Sequence, residues 1–335
     1  MTQEHQLGRG SALAVVSAAT FGTSGVFATA LLAAGWTSGA AVTTRVVLAA
    51  LVLTVPALLQ LRRTPVRWRA EWRTQLVYGL FAVAVAQLCY FNAVHHLSVG
   101  VALLLEYSGS LLVVGWTWLV DGRPPSRLTA AGMAVALAGL VLVLEVWRGS
   151  SIDLVGVTWG MGAAVGLAVY FVISSRTGSS LPPLVSAWAG LAVGGIGLAA
   201  AAAVGALPFS ATTTDVTLAH TRLPWLVPVL GLALVAAVVA YCTGIAAARL
   251  LGATLATFVG LAEVLFAVVF AWLLLGQEPH AVQAAGGVLV LAGIVLVRLG
   301  ERPVSERAAP SPQAGAARVR TQQRGDEQAQ PAPVG

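Results

Sequence analysis

Val99–Val120 reads VGVALLLEYSGSLLVVGWTWLV. A helix needs about 20 apolar residues to cross a bilayer, and this stretch is long and greasy enough. Near its middle sits a carboxylate, Glu106, followed by Tyr107, Ser108, Gly109 and Ser110. Insertion scales put an acid at the centre of such a helix at about 2.5–3.5 kcal/mol. A chain sustains that cost when the group faces a bundle interior or a wet cavity instead of lipid. Glu106 is therefore read as the floor of a solute cavity. The competing reading is a Glu locked to an Arg or to backbone as structural glue.

The rest of the chain is of the same kind. Its 335 residues are 58% hydrophobic and 10% charged, whereas soluble domains carry about 25% charged residues. The apolar runs are too long, and too poor in alternation, for a transmembrane β-barrel. The sequence predicts an all-α polytopic membrane protein with spans at 11–33, 38–60, 75–96, 98–120, 127–146, 154–175, 184–207, 224–247, 252–275 and 280–299. Residues 1–10 form a polar N-terminus. The first apolar run is longer than a signal-peptide core and is read as a retained span.

Every basic residue is Arg, and the net charge is +6. The arginines fall in short loops and in the tail, so they report topology and not nucleic acid. Arg9, the group Arg62, Arg63, Arg67, Arg69 and Arg73, then Arg123, Arg127, Arg176, Arg249 and Arg298–Arg324 all lie on one side. The other side has Arg148 and Arg222. This asymmetry predicts both termini in the cytoplasm and an external loop at Pro208–Leu223. Residues 301–335 are rich in Pro, Ala, Gln and Arg and are expected to be a disordered tail that touches anionic lipid.

The chain also repeats. Tyr90-Phe-Asn-Ala-Val94 and Tyr241-Cys-Thr-Gly-Ile245 end spans 3 and 8. Gly122 through Leu137-Ala-Gly-Leu-Val-Leu-Val143 matches Gly276 through Leu291-Ala-Gly-Ile-Val-Leu-Val297. Five spans separate the copies, so the units 11–146 and 154–299 are predicted to be inverted five-helix repeats. Transporters built this way bind solute near midplane between the repeats. Gly156 and Gly160, Gly162 and Gly166, and Gly190 and Gly194 have the spacing of close helix packing.

With those features in hand, the chain resembles the EamA family of the drug/metabolite transporter superfamily. The similarity covers roughly residues 11–300 and is most specific over Gly252–Val297. The first-half counterpart around Glu106 and the placement of Arg45 in span 2 are also similar. Family members commonly carry a Pro in span 4, where this chain has Ser110 beside Gly109. The acid at the turn after span 4 is present as a displaced Asp121, with Glu278 in the second half. The resemblance implies permeation or export of small metabolites, often amino acids, through a cavity lined by both halves.

Three charges inside spans carry the candidate chemistry. A carboxylate out of water either carries a proton or, left ionised, pairs with a substrate ammonium. Glu106 and Glu263 are the acids, and the repeat alignment sets Glu263 opposite Gly109, one helical turn from Glu106. Arg45 is a possible partner. At about 1.5 Å rise per residue, Arg45 and Glu106 both lie roughly 10–12 Å below the outer surface. Tyr90, Asn92, Tyr107, Tyr170 and Tyr241 bring polar groups that need partners in hydrocarbon. Gly22, Thr23, Ser24 and Gly25 either pack span 1 or thin it beside a cavity. Trp116 and Trp118 read as an interfacial belt.

Other chemistry is missing from the sequence. Cys89 and Cys242 both fall in spans and give neither a disulfide framework nor a zinc spacing. The adjacent His95 and His96 do not share a helix face. No GxxxxGK[ST], GxSxG, HExxH or CxxC is present. The prediction is a proton-coupled secondary transporter in the plasma membrane, with no enzyme activity, cofactor or metal. Its partners are a small solute, protons and lipid. The alternatives are an integral membrane enzyme acting on lipid-linked substrates and a non-transporting scaffold subunit.

Overall fold

The computed structural model of the protein describes residues 3–96, 99–122, 124–143, 153–176, 179–219, 221–275 and 281–300. The tail at 301–335, Arg123, Arg148, Glu278 and the side chains of His95 and Asp121 lie outside the described residues.

Among the described residues the regular elements are helices and one short hairpin. Seven helical stretches among these residues are long and apolar enough to cross a membrane: Gln6–Ala33, Ser38–Arg63, Trp68–Ala93, Leu154–Ser174, Pro183–Ala203, Leu226–Leu251 and Ala253–Leu274. Two shorter apolar stretches, Arg127–Leu142 and Ala284–Val297, accompany them. Large apolar side chains point outward from these helices. Leu51, Val55, Ile196 and Val288 are 62%, 65%, 71% and 66% exposed. Exposed apolar surface on this scale is unfavourable in water and matches a lipid surround.

Local sequence sets several helix ends. Helix α1 (Gln3–Ala33) turns at Gly35, whose φ of 94° suits a residue without Cβ. Helix α2 (Ser38–Arg63) starts at Thr37, whose hydroxyl accepts from the Ala40 N–H at 3.3 Å. It ends on Arg62 and Arg63, which complement the helix dipole. Strands β1 (Val216–Leu218) and β2 (Thr221–Leu223) pair antiparallel, with Val216 opposite Leu223. Residues 208–214, just before the hairpin, cover the α1–α2 turn. There the Trp36 indole donates to Thr212 O at 2.9 Å and the Thr212 hydroxyl to Ala34 O at 2.7 Å.

The predicted continuous span 98–120 is corrected to two helices, α5 (Val99–Tyr107) and α6 (Gly109–Asp121), interrupted at Ser108. No Pro is needed for the break. The Ser108 N–H bonds Leu105 O at 3.1 Å and the Leu111 N–H bonds Ser108 O at 3.0 Å, which is tighter than an α-helix. Tyr107 O loses its usual partner and accepts the Ser110 hydroxyl at 2.7 Å instead. Gly109 lies directly against the Ala164 carbonyl, where a Cβ has no room.

The second half breaks within one residue of the matching place. Helices α12 (Ala253–Gly260) and α13 (Ala262–Leu275) meet at Leu261. Spans 3 and 8 share a second irregularity. Helices α3 (Trp68–Val77) and α4 (Ala86–His96) are joined by a π-helical segment, Tyr78–Val85. Helices α10 (Leu226–Leu230) and α11 (Ala240–Leu251) are joined by another, Gly231–Val239.

Packing repeats the same two-fold. Helix α1 packs on α11 as α8 (Leu154–Ser174) packs on α4, and α2 packs on α9 (Pro183–Ala203). The glycine pairs noted in the sequence are contact points. Gly160 meets Leu105, Gly166 meets Ala86, and Gly190 and Gly194 meet Tyr78 and Val83. Helices α7 (Arg127–Val143) and α14 (Ala281–Gly300) form the most intimate seam. A Cβ on Gly132 would meet Val297 N at 2.6 Å and Gly293 O at 2.8 Å. A Cβ on Gly139 would meet Val290 N at 2.6 Å and Gly286 O at 2.7 Å. In the repeat alignment Gly132 corresponds to Gly286 and Gly139 to Gly293. Exchanging the halves therefore maps one contact onto the other, so the seam is isologous within one chain.

Candidate functional site

A cavity of about 660 Å³, its open mouth included, lies inside the bundle. Its walls come from α1, α4 with its π-helical lead-in, and α5 of the first half. The second half supplies α8, α11, α12 and the start of α13. These are corresponding spans of the two halves. Along α1, α8, α11 and α12 the lining residues fall nearer the end that carries Arg176 and Arg249, whereas on α4 and α5 Ala86, Gln87, Glu106 and Tyr107 fall nearer the opposite ends of their spans.

Glu106 and Glu263 both line this cavity, as do Tyr107 and Tyr241. The two helix breaks put the acids there. Glu106 is two residues before the Ser108 interruption, and Glu263 is two residues after Leu261. Both acids are half-buried, and the Tyr107 hydroxyl lies within hydrogen-bonding reach of the Glu263 carboxylate. Tyr107 ties the breaks together. The Val264 N–H bonds Leu261 O at 3.1 Å, which frees Gly260 O. The Tyr107 hydroxyl donates to that carbonyl at 3.2 Å, beside the Glu263 carboxylate.

Arg45 is 2% exposed and is not a wall residue. Its Nη1 donates to Ser24 Oγ at 2.9 Å and to Gln87 Oε1 at 3.0 Å, and its Nη2 donates to Ala236 O at 2.6 Å. Ala236 lies in the π-helical segment of the second half. The Ala240 N–H bonds Ala237 O and Val235 O, leaving Ala236 O to the guanidinium. No carboxylate among the described residues lies within 4.0 Å of Arg45. The expected Arg45–Glu106 partnership is thus not a direct ion pair. Three charge-assisted hydrogen bonds, one across the repeat boundary, hold the buried cation.

Three other expected residues stand off the wall. Ser24 is a partner of Arg45. The Tyr90 ring packs edge-on against Phe91 at 5.8 Å. Asn92 donates to Leu88 O of its own helix at 2.8 Å. A polar residue in an apolar span finds its partner at home when the preceding turn offers a carbonyl, as Asn92 does.

Sequence reasoning missed Ser17, Phe21, Gln87 and Phe171 and left Tyr170 unassigned. Gln87 is an amide in a span just as Asn92 is, and that was its only signal. Phe21, Tyr170 and Tyr241 converge from three helices. Their ring centroids are 5.2 Å (Phe21–Tyr241), 5.7 Å (Tyr170–Tyr241) and 6.4 Å (Phe21–Tyr170) apart, all edge-to-face. The Tyr170 hydroxyl and Ser17 Oγ lie against Gly244, where any side chain would collide. Trp116 and Trp118 lie exposed on α6.

Outside the bundle, Asp153 caps α8 by accepting from the Val155 N–H at 2.7 Å and contacts His96 Nδ1 at 3.0 Å. The Val155 bond first, then His96, holds its carboxyl below the usual Asp range. No group of three or more metal-ligating side chains occurs among the described residues.

The chain is similar to a UPF0060 membrane protein of Paracidovorax citrulli (strain AAC00-1). The two are 31% identical over 89 residues, covering 26% of this chain and 79% of that one. A UPF0060 membrane protein of Methylobacillus flagellatus (strain ATCC 51484 / DSM 6875 / VKM B-1610 / KT) is 34% identical over 65 residues, covering 19% and 59%. A protein of known crystal structure shares the fold at a TM-score of 0.68, with 18% identity over 87% of this chain and 96% of its own. The profile of the EamA-like transporter family matches twice, over residues 8–145 and 154–299. With both halves matched, the chain belongs to the EamA-like transporter family and is a multi-pass membrane transporter.

Proposed function

We propose that the protein is a secondary transporter that exports small metabolites, amino acids or related compounds, by alternating access. The observation that carries this reading is one cavity walled by corresponding spans of both halves, with two acids at the helix breaks. Ten spans cross the plasma membrane, and both termini are cytoplasmic because the Arg-rich loops stay inside. The cavity reaches the middle of the bundle, and the Arg45 cluster lies beside it through Gln87, a residue of the wall. The halves rock about the α2–α9 and α7–α14 contacts, which lie on the pseudo-two-fold. Glu106 and Glu263 meet the solute or a coupling proton in turn, and Tyr107 and Tyr241 shape the wall.

Proteoliposomes containing the full chain test this. They are loaded with a mixture of labelled amino acids and amines, and efflux is followed with and without an inward proton gradient. Efflux above empty liposomes, accelerated by the gradient and lost in Glu106→Gln and Glu263→Gln, is expected. No movement of any solute overturns the transport reading. Gradient-independent efflux at full rate in both variants removes proton coupling.

A further inference from the structure

The charges and rings of the cavity narrow the solute. We infer that the site takes an organic amine, with its ammonium between Glu106 and Glu263 and an apolar or aromatic body against Phe21, Tyr170 and Tyr241. This rests on reading the cavity as the solute site.

The acids come first. Glu106 and Glu263 are the charged residues of the wall, and the Tyr107 hydroxyl beside Glu263 leaves most of their acceptor positions open. An ammonium brings several donors and the balancing charge. A solute carboxylate would instead approach two acids. The nearby cation offers no relief, because the Arg45 guanidinium is off the wall and bonded to Ser24, Gln87 and Ala236. Two neutral wall donors are also spent, Ser17 on Ala240 O at 2.9 Å and Tyr107 on Gly260 O at 3.2 Å. An amino acid would therefore seat its amine while its carboxylate entered a wall that carries two acids, met only by the neutral Tyr170 and Tyr241 hydroxyls and the Gln87 amide. An amine of the same body has no carboxylate to place.

The rings come second. Phe21, Tyr170 and Tyr241 belong to α1, α8 and α11 and meet edge-to-face. Ring faces attract a cation and accept an aromatic body equally well.

The test uses the full-length protein in detergent and probes that share one aromatic body. Phenethylamine is the cation, phenylalanine the zwitterion and phenylacetate the anion. Binding is measured by calorimetry and by the shift in unfolding temperature. Phenethylamine is expected to bind at least tenfold tighter than phenylalanine, with phenylacetate weakest. Glu106→Gln or Glu263→Gln is expected to weaken phenethylamine at least fivefold. Gel filtration checks the fold of the variants, and the wild-type ranking decides the matter if a variant fails to fold.

The inference is overturned if phenylalanine or phenylacetate binds as tightly as the amine, or if no probe binds. It is also overturned if both folded Gln variants bind phenethylamine as the wild type does. A zwitterion that is bound and exported in liposomes sinks the amine assignment and leaves transport standing. An amine that binds without any flux keeps the assignment and sinks transport.

Discussion

Arg45 Nη2 donates to the carbonyl of Ala236 at 2.6 Å, so a buried cation of the first half is bonded to the π-helical segment of the second. Ser24 and Gln87 both accept from its Nη1. Replacing it with Met orphans the buried carbonyl and removes the donor from two more acceptors. Each buried group left unsatisfied costs about 1–3 kcal/mol. Arg45→Met is expected to lower the unfolding temperature in detergent clearly more than Asn92→Leu, whose side chain bonds only its own helix. Arg45→Lys rescues only in part, because one ammonium cannot reproduce the planar fork.

The glycine seam of α7 and α14 makes a sharper prediction. At Gly139 a Cβ would meet backbone atoms at 2.6 and 2.7 Å, and backbone cannot move aside. Gly139→Ala is expected to destabilise by about 1–3 kcal/mol through overpacking. Gly25 in α1 has nothing within 4 Å of a Cβ. Gly25→Ala should therefore gain about 0.5–1 kcal/mol from helix propensity. Thermal unfolding of the two variants side by side checks the contrast in sign.

Tyr107 joins the two helix breaks through one hydrogen bond to Gly260 O. Tyr107→Phe removes about 0.5–1.5 kcal/mol while leaving the ring in its packed place. Amide exchange should rise at residues 258–264 before it rises elsewhere. Uniform exchange across the chain would show that the bond does not hold the break.

Asp153 gives a pH prediction. Its carboxyl is held below the ordinary Asp range by the Val155 N–H and then by His96. A lowered folded-state value means the charged form stabilises the fold. That stabilisation is complete above the ordinary Asp range and is lost as pH falls through the lowered value. The unfolding temperature of wild type should exceed that of Asp153→Ala at pH 7. The gap should close as the buffer is taken toward pH 3.

Much of the architecture is legible in the sequence because bilayer physics is one-dimensional. Apolar run length gives helices at the positions where α1, α2, α8 and α9 are found. The repeated LAG(L/I)VLV segments mark the duplication, while their packing on each other at Gly132–Gly293 and Gly139–Gly286 is seen only in the structure. The candidate site was legible only in part. Glu106 and Glu263 stand out because an acid in hydrocarbon is expensive wherever it points. Gln87 and Phe21 do not stand out, because their value depends on what faces them from other helices.

The sequence by itself determined that the chain is helical, duplicated and built for lipid, since hydrophobic length and repeat spacing are properties of the chain alone. Only the tertiary structure decided where the helices break and which polar groups meet. Tyr107 reaches Gly260, and Arg45 reaches Ala236 and not Glu106, because backbone carbonyls freed at helix irregularities compete for donors across more than 150 residues of sequence. That competition is settled by three-dimensional proximity.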